Sequence, residues 1–127
     1  MLDVTLNHMN GPLVEPTIRD VIAAADRIRP HIAPSPLRLS PAVSELLGAE
    51  VYLKHEHHLP TGAFKVRGGV NLISQLTPAE HEAGVIAAST GNHGQSVAFA
   101  SRIFGVRAIV CAPEQANPGK VALWLKK

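Results

Sequence analysis

At 127 residues, 46% of them hydrophobic, the chain has the length of one domain and enough apolar side chains for a real core. A formal net charge of +2 and an aromatic share of 4% leave neither a basic face nor a set of stacking platforms, so no nucleic-acid partner is expected. The single cysteine, Cys111, rules out an internal disulfide and reads, within the apolar run VRAIVCA, as a buried inert thiol in a reducing compartment.

The opening stretch MLDVTLNHMNGPLVEP has no basic start followed by an apolar core. No later run approaches the ~18 apolar residues of a membrane span, so no membrane partner and a cytoplasmic location are expected. Residues 1–16 read as a flexible N-terminal arm. A helical segment over 17–48 follows. Ile18, Val21, Ile22, Ala25 and Ile28 recur at helical spacing, with Thr17 as N-cap, Asp20 in the first turn and Pro30 as a stop. SPAVSELLG gives a second helix, capped by Ser40, with Pro41 first and Gly48 last. The portion over 49–127 alternates strands and helices. VYLK is a strand, HEHHLPTG a loop, and a helix runs from about Ala63 to Leu76. TPAEHEAG is a helix with a capping box from Thr77 to Glu80. Then come the strand VIAAS, the turn TGNHG, the helix QSVAFASRIFG ended by Gly105, the strand VRAIVCA, and the start of a helix in NPGKVALWLKK. This alternation predicts an α/β fold with a parallel sheet of βαβ units. Ligands of such sheets collect at the carboxyl ends of the strands, where HEHHLPTGAFK, STGNHG and PEQANPG all fall.

Lys65 lies in the first turn of its helix, where the positive end of the dipole disfavours the ammonium form. A neutral amine there can attack an aldehyde, and Phe64 can wall it from water. The competing reading is a lysine extended into solvent. STGNHG stands where a strand passes into a helix, a place for a carboxylate or phosphate to meet N–H groups and short hydroxyls. It can equally be a tight turn whose glycine supplies a positive φ. Dinucleotide and Walker fingerprints are missing. His55, Glu56, His57 and His58 lack zincin spacing and leave a strand for a loop that scatters their side chains, so no metal is expected.

Together the two motifs resemble the fold-type-II pyridoxal-phosphate enzymes, in the threonine/serine dehydratase and serine racemase branch. That branch reads L-K-x-E-x-x-Q-x-T-G-S-F-K-x-R-G-A, and Leu53, Lys54, Glu56, Thr61, Gly62, Phe64, Lys65, Arg67 and Gly68 stand in register with it. Its S-x-G-N-H-x-Q is met by Ser89, Gly91, Asn92, His93 and Gln95. The resemblance implies pyridoxal 5'-phosphate as cofactor and Lys65 as the Schiff-base lysine and α-carbon base. It also implies Phe64 beside the cofactor, Asn92 on its 3-hydroxyl, and Ser89, Thr90, Gly91, Asn92 and His93 as the loop for the substrate carboxylate. The implied reaction turns a β-hydroxy amino acid into a 2-oxo acid and ammonia. The implied assembly is a homo-oligomer, and the stretch over 49–127 corresponds to the small-domain portion.

Several positions depart from the branch. Leu59 replaces Gln, Ala63 replaces Ser and Gly69 replaces Ala, changes that read as conservative in volume. Racemases of the branch use Ser where Thr90 stands and dehydratases use Ala, so dehydratase is favoured over a racemase-like activity. KHEHH is similar to dehydratases of hydroxyectoine breakdown. The glycine-rich phosphate loop of the branch lies further on than Lys127, so the 127 residues alone are expected to be an inactive N-terminal fragment. The rival reading is an incomplete α/β module that binds a small carboxylate or a partner chain.

Overall fold

The computed structural model describes residues 14–114 together with Gly119 and Ala122. Residues 1–13, most of PEQANPG, and the stretch NPGKVALWLKK read as the start of a helix, apart from those two residues, lie outside the described residues. Helix α1, Ile18–Ile28, opens with a capping box, in which Thr17 Oγ1 accepts from the Asp20 N–H and Asp20 returns a bond to the Thr17 N–H. The same device starts α4, Pro78–Ala83, through Thr77 and Glu80. Helix α2, Pro41–Leu47, ends at Gly48 and helix α5, Asn92–Phe104, at Gly105; both glycines are left-handed, with φ of 64° and 67°. Helix α5 starts three residues before the stretch read as helical, so Asn92 and His93 form its first turn.

The strands fall into two pairs. β3, Val85–Ala88, and β4, Ala108–Cys111, run parallel on either side of α5, the expected βαβ unit. The strand read at VYLK is β2, Tyr52–Lys54, and it does not join them. It pairs antiparallel with β1, Leu37–Leu39, matching Leu37 with Lys54. β1 has only three residues, all exposed, and so shows no period to read.

Helix α3, Lys65–Ile73, is the centre of the packing. Its Val66 and Val70 are fully buried, and they share the core with Ile73, Leu59, Ile32, Ala100 and Val106. Leu59, where the branch has Gln, therefore sits in the apolar core. On α1 only the C-terminal end engages: Ile28 packs on the core and Arg27 donates to Asn71 of α3 at 2.7 Å, while Ile18, Val21 and Ile22 are exposed. Cys111 is exposed, contrary to the buried thiol expected, because Ile109 and Cys111 point from the face of β4 that the described residues leave uncovered. Among the described residues, no helix is long and apolar enough to cross a membrane.

Candidate active site

The approach of α3 to α5 sets the site. Gly69 faces Ser96, and a Cβ on Gly69 would lie 2.7 Å from the Ser96 carbonyl oxygen and closer still to its hydroxyl. Only a residue with no side chain permits this crossing, so Gly69 is not the conservative replacement that its volume suggests. Closeness brings a bond with it: the buried Ser96 hydroxyl donates to the main-chain carbonyl of Lys65 at 2.6 Å. The first residue of α3 is thereby tied to α5 one turn below the STGNHG turn.

A second clamp acts from the other side. Arg67 makes a two-pronged ion pair with Glu56, Nε to Oε2 at 2.8 Å and Nη2 to Oε1 at 3.0 Å. The Ser35 hydroxyl donates to the same carboxylate at 2.5 Å, and Lys54 Nζ donates to the Ser35 carbonyl at 2.6 Å. Hydrogen bonding from Arg67, aided by Ser35, holds the Glu56 carboxyl down at about 2 against the opposing effect of burial. The pair locks the loop before α3 to the helix itself. Lys54 is thus engaged, whereas Lys65 is exposed and takes part in no ion pair among the described residues.

Lys65 opens onto a cavity of about 590 Å³ between α3, α5 and β3, whose lining includes Phe64, Gly68, Gly69, His93 and Ser96. Phe64 stands largely exposed at its rim, 63% accessible. The turn that follows β3 is built by Ser89, whose Oγ accepts from the N–H groups of Gly91 at 3.2 Å and Gly94 at 2.9 Å. Its own O–H therefore remains to donate. Ser89 and Thr90 line a second cleft, of about 470 Å³, with Cys111 and Pro113 at the carboxyl ends of β3 and β4. Phe64, Lys65 and His93 thus share one cavity, Ser89 and Thr90 share the other, and Gly91 with the exposed Asn92 connects the two. Sequence reasoning did not find Ser96 or the Glu56–Arg67 clamp. The register of Glu56 and Arg67 within one motif was the available signal for the clamp, while Ser96 had none.

The histidines behave differently from the reading above. Glu56–His58 closes a 3₁₀ turn, which gathers His55, His57 and His58 instead of scattering them. Their ring centroids lie 4.4 to 5.6 Å apart. Desolvation first, then the neighbouring His57 and His58, lowers the His55 pKa.

Comparison with known proteins gives the family. Residues 28–125 match the family described as pyridoxal-phosphate dependent enzyme. The chain belongs to that family. It is 38% identical over 110 residues to an L-threo-3-hydroxyaspartate ammonia-lyase of Saccharomyces cerevisiae, covering 87% of this chain and 34% of that one. It is 40% identical over 105 residues to an L-threonine ammonia-lyase of Thermotoga maritima, covering 83% and 26%. The solved serine racemase of Dictyostelium discoideum superposes with a TM-score of 0.81 at 37% identity, over 85% of this chain and 35% of that one. The fold is therefore that of the fold-type-II enzymes, and the chain spans about a third of the length of the relatives it matches.

Proposed function

We propose that these residues carry the lysine and the carboxylate turn of a pyridoxal-phosphate-dependent ammonia-lyase for a β-hydroxy amino acid. The observation that carries the reading is the Ser96 bond to Lys65, which ties the amine-bearing turn to the helix behind STGNHG. The lining fits the cofactor: an amine free of ion pairs, an aromatic wall at Phe64, and a floor at Gly68 and Gly69 that has no side chains to obstruct a flat ring. When bound, pyridoxal phosphate supplies an electron sink for charge at the substrate α-carbon.

In this reading Lys65 Nζ holds the cofactor and then moves the α-proton. Phe64 excludes water from one side. Asn92 donates to the cofactor's 3-hydroxyl, and the turn of Ser89, Thr90, Gly91, Asn92 and His93 holds the substrate carboxylate with hydroxyl and N–H donors at a helix start. Loss of the α-proton and the β-hydroxyl, followed by hydrolysis, gives a 2-oxo acid and ammonia. The working form is a cytoplasmic homo-oligomer.

A racemase-like activity is the second reading, because Thr90, exposed two residues beyond β3, places a hydroxyl at the carboxyl end of that strand. Borohydride treatment with pyridoxal phosphate, followed by peptide mass mapping, is expected to place the pyridoxyl group on Lys65, both in this chain and in one extended to the relatives' length. Label on Lys54 or Lys120 overturns the assignment. In the extended chain, Thr90→Ala lowers but does not abolish 2-oxo acid release from L-threonine or L-serine if the protein is a lyase, because Ser89 and the N–H groups of the turn remain, and it abolishes racemisation if the protein is a racemase.

A further inference from the structure

We propose that His55, His57 and His58 bind a divalent transition-metal ion of zinc type, with three imidazole ligands and a fourth position open to solvent. One ligand nitrogen from each ring lies within 4.8 Å of the others. A tetrahedral ion with Zn–N bonds of about 2.0–2.1 Å needs nitrogens roughly 3.3 Å apart. His57 and His58 are exposed, which leaves their rings room to rotate towards that spacing.

The backbone is already held. The His55 N–H donates to the Pro36 carbonyl at 2.9 Å, the His58 N–H to the His55 carbonyl at 3.1 Å, and the Leu59 N–H to the Glu56 carbonyl at 3.2 Å. Less ordering is left for the ion to impose than on a loose loop. The donor set also selects the ion. Glu56, in the middle of the triplet, is committed to Arg67 and Ser35, which leaves imidazole alone. Imidazole suits zinc, copper and nickel, whereas magnesium and calcium require oxygen ligands. The site stands a few residues before Lys65, in the loop that Glu56 clamps to α3. An ion here would tie the turn together beside the Glu56–Arg67 clamp. The inference does not depend on the pyridoxal phosphate reading.

The test is calorimetric titration of ZnCl₂, and separately MgCl₂, into the whole chain purified without an affinity tag, with a Co²⁺ absorption spectrum beside it. Expected are one zinc per chain with micromolar or tighter binding, no magnesium binding, and visible cobalt bands without a thiolate charge-transfer band. His57→Ala and His58→Ala should each weaken zinc at least about tenfold, while His81→Ala, elsewhere on the surface, leaves it unchanged. Because both rings are exposed, circular dichroism should match the parent chain; should an alanine variant lose it, His57→Gln and His58→Gln take its place and are read in the same way. Zinc that fails to saturate, affinity indifferent to both substitutions, or a thiolate band implicating Cys111 overturns the proposal.

Discussion

Gly68 and Gly69 are neighbours in one helix, yet alanine at the two positions should act in opposite directions. A Cβ on Gly68 meets nothing within 4 Å, so Gly68→Ala simply removes backbone freedom from the unfolded chain. The gain is about 0.5–1 kcal/mol. Gly69→Ala has the same propensity gain, but its Cβ would stand 2.7 Å from the Ser96 carbonyl oxygen, where ordinary contact begins at 3.4 Å. Closing that gap means moving α5 or breaking the Ser96 bond to Lys65, and overpacking of this kind costs about 1–3 kcal/mol. Net of propensity, Gly69→Ala should destabilise by about 1 kcal/mol, placing the two variants about 2 kcal/mol apart. In urea, with a slope of roughly 1–3 kcal/mol/M, their midpoints should separate by about 1 M on opposite sides of the parent chain. If both substitutions raise the midpoint equally, Gly69 does not set the spacing of α3 and α5, and the account of the site built on that crossing is wrong.

Other expectations follow from the same contacts. Glu56 has a carboxyl held at about 2 in the folded chain against an ordinary 4.5, so its stabilisation is complete above pH 4.5 and lost as pH falls towards 2. Acid unfolding monitored by circular dichroism should show that slope, and Glu56→Gln should flatten it; an unchanged slope would mean that the pair with Arg67 does not form in solution. Ser96→Ala should cost about 0.5–1.5 kcal/mol by denaturant unfolding, and it should slow borohydride labelling of Lys65 as the lysine loses its tether. Thr77→Ala removes the acceptor for the Glu80 N–H and should lower stability by about 1 kcal/mol, with a loss under 0.3 kcal/mol showing that the exposed cap frays.

What the sequence revealed was local. The Thr17 cap, the capping box from Thr77 to Glu80, the glycine stops at Gly48 and Gly105, and the βαβ unit depend on residues a few positions apart or on simple alternation, and all are present. β1 was not legible because its support is a strand whose pairing residue lies 17 positions further on, from Leu37 to Lys54. Ser96 was not legible because its partner is 31 residues away, and a serine in a helix looks like any polar surface position. The spread of the histidine rings was misjudged for a different reason: the expectation assumed an open loop, whereas a 3₁₀ turn stands there and the rings lie together. Cys111 shows the limit of reading an apolar strand as buried on both faces, since burial depends on what covers the strand.

The tie between Ser96 and Lys65 also constrains how the two halves of the site can respond to one another. Ser96 stands four residues beyond Asn92, about 6 Å along the axis of α5, so a displacement of the turn passes down a short rigid rod into the peptide that bears the amine. If an anion that shifts this rod changes the free energy of attaching a group to Lys65, attachment must alter the anion's affinity by the same factor. Titrating a small carboxylate before and after borohydride labelling measures that factor directly. A ratio of one would mean that the hydrogen bond joins the two halves in space without coupling them in free energy.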